Sequence, residues 1–263
     1  MNLEIICKQT CDIAIEVGDF IRKQMSQITT DIVESKGRHD FVTYVDKTAE
    51  KQIVAGLEKI LPEAGFIAEE QTNTQKGDRY NWVIDPLDGT TNYIHGLAPF
   101  AVSIALMDGD EVAIGVVYEI SLNECFYAWK DSKAYLNGKE ITVSKVSKLD
   151  DSFLATGFPY YDFDLLKEYL QLLEYFLKET HGVRRLGSAA TDLVYVACGR
   201  FDAFYEYSLH PWDVAAGAFI VQRAGGKVCD FKGCSNYIFG KEMIATNHNL
   251  YDDFMSKVLQ FLH

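Results

Sequence analysis

The amino-terminal part of the chain alternates between helical and strand-like hydrophobic patterns. Apolar side chains recur on one face over Leu3–Met25, and this spacing predicts a long amphipathic helix. Asp46 is predicted to cap a second helix, which Pro62 ends. Short apolar runs at Gly65–Ala68 and Trp82–Ile84 predict strands that end directly before acidic residues.

The pattern changes along the chain. The turn-prone residues 34–40 predict a polar loop, and turn residues between Phe100 and Val143 predict a meander of strands. Further on, predicted strands alternate with helices, which lie near Phe163–Lys178, Ala190–Cys198, Val214–Ala224 and Leu250–Leu262. This order predicts an α/β fold of layered helices and sheets. We expect a single unit over residues 1–263, with lobes at about 1–145 and 146–263.

Composition and charge restrict the classes of function. The chain has 263 residues, 48% of them hydrophobic, and a formal net charge of −13. Such a charge repels nucleic-acid phosphate, so no nucleic-acid partner is expected. No segment resembles a membrane span or a secretory signal, and the six cysteines form no CxxC pair, which favours a cytoplasmic protein without a membrane partner. An anionic substrate would require bound cations to invert the local field.

The most informative segment is Trp82-Val-Ile-Asp85-Pro-Leu-Asp88-Gly89-Thr90-Thr91-Asn92. An apolar strand ends at Asp85, and Asp88 follows on the same turn. Two carboxylates on one tight turn can hold a hard cation such as Mg²⁺. A surface turn with capping acids is the alternative.

Two other acidic positions extend this picture. Glu69 and Glu70 directly follow a predicted strand, and Asp213 lies in the first turn of a predicted helix. Glu69 at a strand end is a candidate ligand, whereas Glu70 reads as a solvated side chain. Asp213 alone could simply stabilise the helix dipole.

Together, Asp85–Asn92, Glu69-Glu70 and Trp212–Gly217 resemble the inositol monophosphatases. That family belongs to a lithium-sensitive, metal-dependent phosphatase superfamily that also contains fructose-1,6-bisphosphatases and bisphosphonucleotide phosphatases. The order and spacing of the motifs match over nearly the whole chain. The resemblance implies a layered αβαβα sandwich, a homodimer, lithium sensitivity and two or three Mg²⁺ ions.

The resemblance also implies a set of metal ligands. The first Mg²⁺ would be held by Glu69, Asp85 and the backbone carbonyl of Leu87. The second would be held by Asp85, Asp88 and Asp213. Asp85 would thus be shared between two ions, which typically lie about 3.5–4 Å apart in such sites.

Catalytic and phosphate-binding roles follow from the same resemblance. Glu69 and Thr90 would orient the attacking water, and Asp46 would support Thr90. Asp88 and the backbone of Gly89 and Thr90 would lie on the phosphate side. Lys36, in the predicted polar loop, would be a possible loop contact.

The substrate side is carried by Glu206 and by the turn Gly187-Ser188-Ala189. Glu206 lies where the family places a glutamate against sugar-alcohol hydroxyls, and a carboxylate accepts hydrogen bonds from such groups. An exposed glutamate at a strand end is the alternative. Asp192 could cap a helix or contact the substrate, and capping is the favoured interpretation. Thr91 stands where the nucleotide phosphatases usually have a lysine, which argues against a nucleotide substrate.

The predicted activity is Mg²⁺-dependent hydrolysis of a small polyol phosphate monoester, without a covalent intermediate. The favoured reaction converts myo-inositol monophosphate into inositol and phosphate. Alternatives are fructose-1,6-bisphosphatase or dual activity, and then 3′(2′),5′-bisphosphate nucleotidase. A different class is a regulatory or interaction protein on the same fold, for which Tyr118, Tyr127 and Trp129 are predicted to be exposed.

Overall fold

The computed structural model describes residues 1–25, 33–37 and 40–262, and it describes side chains over 1–25 and 44–262. Seven helices lie in the described residues: α1 (Leu3–Gln24), α2 (Tyr44–Ile60), α3 (Thr90–Ile94), α4 (Leu166–Glu179), α5 (Ala189–Ala197), α6 (Pro211–Arg223) and α7 (Tyr251–Phe261).

The described strands form three sheets. A small antiparallel pair contains β1 (Val33–Gly37) and β2 (Asp40–Thr43). A seven-stranded sheet runs in chain order through β3 (Gly65–Ala68), β4 (Tyr80–Asp88), β5 (Ala101–Asp108), β6 (Glu111–Glu119), β7 (Glu124–Trp129), β8 (Ala134–Leu136) and β9 (Lys139–Ile141). Within it β3 and β4 are parallel, and the remaining pairs are antiparallel.

The five-stranded sheet is built from the carboxy-terminal strands. They are β10 (Phe153–Thr156), β11 (Gly182–Arg184), β12 (Ala203–Tyr207), β13 (Lys227–Cys229) and β14 (Glu242–Thr246). Their order is β11-β10-β12-β14-β13, with β10 parallel to both neighbours. The change from one large sheet to the other falls between Ile141 and Phe153. The division into lobes near residue 145 stays a prediction.

Three hydrophobic clusters hold five layers together. Helices α1 and α2 cover one face of the seven-stranded sheet. Helices α5 and α6 lie between the two large sheets. Helices α4 and α7 cover the outer face of the five-stranded sheet. The predicted αβαβα layering of an α/β fold is therefore confirmed.

Small residues let the central helices approach their neighbours closely. A Cβ atom on Gly115 of β6 would lie 2.7 Å from the Ala216 carbonyl oxygen of α6. A Cβ atom on Gly217 would lie 2.7 Å from Leu193 Cβ of α5. Such contacts leave no space for larger side chains, so these residues set the spacing of the central layer.

Some predicted boundaries and exposures were wrong. Residues 34–37 lie in β1 and residue 40 begins β2, because antiparallel pairing satisfies backbone groups that a loop would leave to water. Asp46 lies inside the first turn of α2, since that helix already begins at Tyr44. Helix α4 begins at Leu166 rather than near Phe163, where the side chain of Asp162 accepts a hydrogen bond from the Asp164 N–H and forms a local turn.

The aromatic surface expected on the meander was also wrong in part. Tyr118 and Tyr127 are buried, because they lie on the sheet face that α1 covers. Trp129 is partly buried at the edge of the same cluster, stacked with Tyr127 and Tyr135.

Two further features concern the described helices and the cysteines. None of the helices in the described residues is long and apolar enough to cross a bilayer. All six cysteines carry free thiols.

Candidate active site

The parallel pair β3–β4 brings Glu69 next to Asp85. Ala68 and Ile84 are partners in the pairing, and the Glu69 N–H donates to the Ile84 carbonyl oxygen at 3.2 Å. Asp85 is 2% exposed, and its Oδ1 accepts a hydrogen bond of 2.9 Å from the Leu87 N–H. Both acids therefore lie at the same end of the sheet, as the sequence predicts.

Asp88 joins this strand end to the amino terminus of α5. The pairing of β4 with β5 is irregular between Asp85 and Asp88. Asp88 Oδ2 accepts hydrogen bonds from Ser188 Oγ at 2.6 Å and from the Ala190 N–H at 2.7 Å. The amino end of a helix stabilises a carboxylate through its unpaired N–H groups and its dipole.

Asp213 comes to the site from the first turn of α6. Its Oδ2 accepts a hydrogen bond of 2.7 Å from the His210 N–H, which fixes the start of the helix. Ser103 is the partner of Asp85 on β5, and its hydroxyl donates to the Trp212 carbonyl oxygen at 3.1 Å. This bond ties the first turn of α6 to the strand beside Asp85.

The four acids Glu69, Asp85, Asp88 and Asp213 line one cavity of about 440 Å³. Burial raises the pKa of Asp85 well above its ordinary value, and the neighbouring charge of Glu69 raises it further. Burial also raises the pKa of Asp88 to about 6. The pKa of Asp213 is raised well above its ordinary value by burial and by the charge of Asp88. Carboxylates that repel one another in this way favour binding of a cation.

The donor chemistry fits Mg²⁺, which prefers carboxylate and carbonyl oxygens. Within the described part of the chain, no three acidic, histidine or cysteine side chains already form a ready-made metal-ligand cluster. One oxygen of Asp88 and one of Asp213 are instead held by helix N–H groups and by Ser188. The fit to a metal thus rests on donor type, shared cavity and charge.

Thr90 stands at the start of α3, next to this acidic group. Its Oγ1 lies 2.9 Å from the Leu87 carbonyl oxygen and 3.1 Å from Asp46 Oδ1. Gly89 precedes it with a φ of +91°, a conformation that glycine adopts at little cost. The sequence-predicted group of Thr90, Gly89 and Asp46 therefore comes together beside Leu87.

Glu206 forms another wall of the cavity. It is 8% exposed, so the alternative of an exposed surface glutamate is wrong. It lies directly over Gly157, because a Cβ atom on that glycine would be 2.0 Å from the carboxylate. The pairing of Thr156 with Tyr205 explains this contact, since the next residue on each strand is Gly157 and Glu206. Burial raises the pKa of Glu206 to about 8.

The turn Gly187-Ser188-Ala189 lines the cavity between Asp88 and Glu206. Ser188 caps α5, since its Oγ accepts a hydrogen bond of 3.3 Å from the Thr191 N–H. The expected capping role of Asp192 is therefore wrong, because the cap position precedes the helix and Asp192 lies inside its first turn. Asp192 is buried, and burial followed by the charge of Glu206 raises its pKa.

A model of the inositol monophosphatase family matches residues 2–262. The chain belongs to the inositol monophosphatase family. The family supports a phosphatase, and this agrees with an acidic site at the strand ends.

Relatives of the inositol monophosphatase family differ in their names. The Nus factor SuhB of Escherichia coli is 43% identical over 237 residues, which are 89% of this chain and 88% of that protein. A fructose-1,6-bisphosphatase/inositol-1-monophosphatase of Thermotoga maritima is 41% identical over 229 residues, 87% of this chain and 86% of that protein. The crystal structure of the extragenic suppressor protein suhB from Bartonella henselae has a TM-score of 0.91 and 36% identity, covering 95% of this chain and 97% of that chain.

Further residues hold this inositol monophosphatase-type site in shape, in roles that the sequence did not predict. The buried Glu50 accepts hydrogen bonds from the Glu70 and Thr72 N–H groups, each at 2.7 Å, and so holds the turn after Glu69. Asn92 donates to the Pro99 and Leu186 carbonyl oxygens, each at 2.8 Å, which fixes the turn before Gly187. The side chain of Lys36 lies outside the residues whose side chains are described, so its loop contact stays a prediction.

Proposed function

We propose that this protein catalyses the Mg²⁺-dependent hydrolysis of a small polyol phosphate monoester, with myo-inositol monophosphate as the favoured substrate. The observation that carries the proposal is the convergence of Glu69, Asp85, Asp88 and Asp213 on one cavity. Burial raises the pKa of Asp85, Asp88 and Asp213, and neighbouring acids raise the pKa of Asp85 and Asp213 further, which supports the binding of cations that would offset this repulsion.

Two or three Mg²⁺ ions are proposed for this site. Glu69, Asp85 and the Leu87 carbonyl would hold the first, and Asp85, Asp88 and Asp213 the second. Bound Mg²⁺ neutralises the phosphate, lowers the pKa of a bound water and stabilises the leaving alkoxide.

The protein's own groups orient the reaction. Glu69 and Thr90 hold the attacking water in line with the scissile bond, and Asp46 accepts a hydrogen bond from the Thr90 hydroxyl, which helps to fix the direction of the Thr90 oxygen. The backbone N–H groups of Gly89 and Thr90, at the start of α3, bind the phosphate oxygens. Asp88 lies on the same side of the site, next to the phosphate. No group forms a covalent intermediate.

The polyol part of the substrate lies against Glu206 and the turn Gly187-Ser188-Ala189. Glu206 accepts hydrogen bonds from sugar-alcohol hydroxyls, and Gly157 leaves room for its carboxylate at the wall. A hexose bisphosphate presents similar hydroxyls, and the name of the Thermotoga maritima relative supports dual activity as the next candidate. A nucleotide bisphosphate is less favoured, because Thr91 lacks the charge of a lysine.

A substrate panel tests the proposal. Turnover is measured on inositol 1-phosphate, fructose-1,6-bisphosphate and adenosine 3′,5′-bisphosphate, with Mg²⁺, with EDTA and with added Li⁺. We expect the inositol ester to be turned over, EDTA to abolish activity and Li⁺ to inhibit. A preference for the nucleotide by orders of magnitude would contradict the role of Glu206.

A second candidate is the binding of a macromolecular partner. The Escherichia coli relative is named a Nus factor, which favours this possibility for related chains. Capture of a stoichiometric partner by both the wild type and an Asp85→Asn variant would support it. A homodimer in the cytoplasm is proposed as the working form, and the six free thiols agree with a reducing compartment. Light scattering measures the mass.

A further inference from the structure

Arg185 and Tyr160 form a polar pair on the cavity wall. Arg185 Nη2 donates a hydrogen bond of 2.7 Å to the Tyr160 hydroxyl oxygen, and the guanidinium carbon lies 6.0 Å from the centre of the Tyr160 ring. Both residues line the cavity that contains Asp88 and Glu206. Tyr160 comes from the segment after β10, and Arg185 directly follows β11, so two neighbouring strands fix the pair.

The guanidinium lies over the substrate-side turn. A Cβ atom on Gly187 would be only 2.7 Å from Arg185 Nη1. The same turn leads into Ser188, whose hydroxyl holds Asp88. Arg185 therefore reaches the space beside the turn at which the polyol part of a substrate would lie.

Arg185 stands out by its charge. The described residues that line the cavity include five carboxylates but a single guanidinium; the carboxylates are Glu69, Asp85, Asp88, Glu206 and Asp213. Burial raises the pKa of Asp88 and of Glu206. The positive charge of Arg185 acts in the opposite direction and lowers both pKa values.

Arg185 is nevertheless not the partner of an acid. None of the ion pairs found among the described residues includes it. Its side chain has several N–H donors, and the recorded hydrogen bond to Tyr160 uses one of them. The remaining donors form a planar fork of the kind that binds phosphate oxygens in pairs.

We infer that Arg185, positioned by Tyr160, binds a second phosphate group of the substrate, so that this cavity accepts a sugar or polyol bisphosphate. The inference rests on the proposed phosphatase function and concerns the end of the substrate far from the scissile bond. Arg185 is the specificity-determining residue, and Tyr160 is a positioning residue that fixes the direction of the guanidinium.

The chain contains a matched control at the preceding position. Arg184 is also exposed, but its guanidinium carbon lies 4.8 Å from the centre of the Phe153 ring, and its Nη1 donates to the Val183 carbonyl oxygen. It does not line the cavity. Arg184→Gln therefore removes the same charge from the same strand end without touching the proposed phosphate contact.

The experiment compares steady-state kinetics of the wild type, Arg185→Gln, Arg185→Lys, Tyr160→Phe and Arg184→Gln. Each protein is assayed on inositol 1-phosphate and on fructose-1,6-bisphosphate, and circular dichroism checks its fold. We expect Arg185→Gln to raise KM for the bisphosphate about 10–100-fold and KM for the monophosphate less than about 3-fold. Arg185→Lys should recover part of the loss, and Arg184→Gln should resemble the wild type.

Tyr160→Phe removes the hydroxyl that positions Arg185 and keeps the aromatic ring, so it tests the hydrogen bond apart from the packing of the ring. It should raise KM for the bisphosphate by about 3–10-fold and leave kcat on both substrates unchanged, because the guanidinium loses its hydrogen-bonded anchor and keeps its charge.

Two results would overturn the inference and leave the proposed function standing. In the first, Arg185→Gln changes the kinetics on both substrates equally. In the second, the wild type turns over the monophosphate but does not bind the bisphosphate. Turnover of neither substrate by the wild type would overturn the proposed function as well.

Discussion

The hydroxyl oxygen of Thr90 lies 3.1 Å from the carboxylate of Asp46, which comes 44 residues earlier in the chain. The first turn of α2 and the first turn of α3 thus meet beside the Leu87 carbonyl. A hydroxyl has one proton to donate, so its acceptor decides where the oxygen lone pairs point. The buried Asp46 and the Leu87 carbonyl oxygen are the two acceptors within reach of this hydroxyl, and Asp46 is the one that a side-chain substitution can remove.

This contact predicts strong coupling between the two residues. Thr90→Ala should lower kcat about 10²–10⁴-fold, and Asp46→Asn should lower it by a similar factor, because each removes the same oriented group. The double variant should be hardly worse than either single one. Single-turnover rates on inositol 1-phosphate at saturating Mg²⁺ measure the effect. If the rate loss of the double variant equals the product of the two single losses, Asp46 does not act through Thr90.

Replacing Asp85 by asparagine should remove the stabilisation that Mg²⁺ gives to the fold. Asp85→Asn should abolish turnover and leave circular dichroism unchanged, because the amide has the shape of the acid. In the wild type, Mg²⁺ at about 100 times its Kd should raise Tm by roughly 5–10 °C, whereas the variant should respond far less. Calorimetry with Mg²⁺ and with EDTA measures this. Near-normal activity of the variant would falsify the assignment of Asp85.

In EDTA the same variant should be at least as stable as the wild type. Burial and neighbouring acids raise the pKa of Asp85, so its charge opposes folding when no cation is present. A lower Tm of Asp85→Asn in EDTA would contradict this explanation.

The contact of Gly157 with Glu206 predicts a substrate-specific defect. In Gly157→Ala the new methyl group would lie 2.0 Å from the carboxylate and must displace it. We expect KM for inositol 1-phosphate to rise about 10-fold or more, since the hydrogen bonds between Glu206 and the substrate hydroxyls are lost. Hydrolysis of a phosphate ester without hydroxyls should change little.

A Glu206→Ala background provides the control for that prediction. If Gly157 acts through Glu206, adding Gly157→Ala there should have almost no further effect on KM. A further loss of the same size would indicate a separate distortion of β10.

Stability without metal should depend on pH through Glu206. Burial raises its pKa from the ordinary 4.5 to about 8, so between these values the folded protein keeps a proton that the unfolded chain has lost. Stability from this group is therefore highest at low pH and falls as pH rises toward 8. Glu206→Gln lacks this loss and should gain about 2–4 °C or more in Tm relative to the wild type between about pH 5 and about pH 8.

Scanning calorimetry in EDTA across this range measures the difference. Glu179→Gln, an exposed change on α4, serves as the control and should follow the wild type. A constant difference between Glu206→Gln and the wild type at every pH would mean that Glu206 does not titrate in this window.

The sequence was informative where chemistry and local pattern coincide. Asp85 follows an apolar run and precedes a glycine turn, so both its strand-end position and its ligand type could be predicted. Glu69 was a candidate because it follows a predicted strand and matches the family motif, and the parallel pairing of β3 with β4 brings it beside Asp85. The layered fold followed from the order of strands and helices.

Other features depend on packing between distant segments. Ser188, rather than Asp192, caps α5, because the helix begins at Ala189, one residue before the pattern indicated, and Asp192 lies inside its first turn. Tyr118 looks like a surface residue until α1 covers its face of the sheet. Arg185 resembles any solvated arginine in the sequence, and only the approach of β10 to β11 brings it to Tyr160.

The close fit of Gly217 against Leu193 and of Gly115 against Ala216 has an effect beyond the hydrophobic layer. Asp85 belongs to the sheet on one side of this layer, and Asp213 belongs to the helix within it. The close contact between the sheet and α6 therefore helps to set the distance between the carboxylates of Asp85 and Asp213. Enlarging Gly115 should push α6 away from the sheet, move these carboxylates apart and weaken cation affinity, although the altered residue would touch neither ion nor substrate.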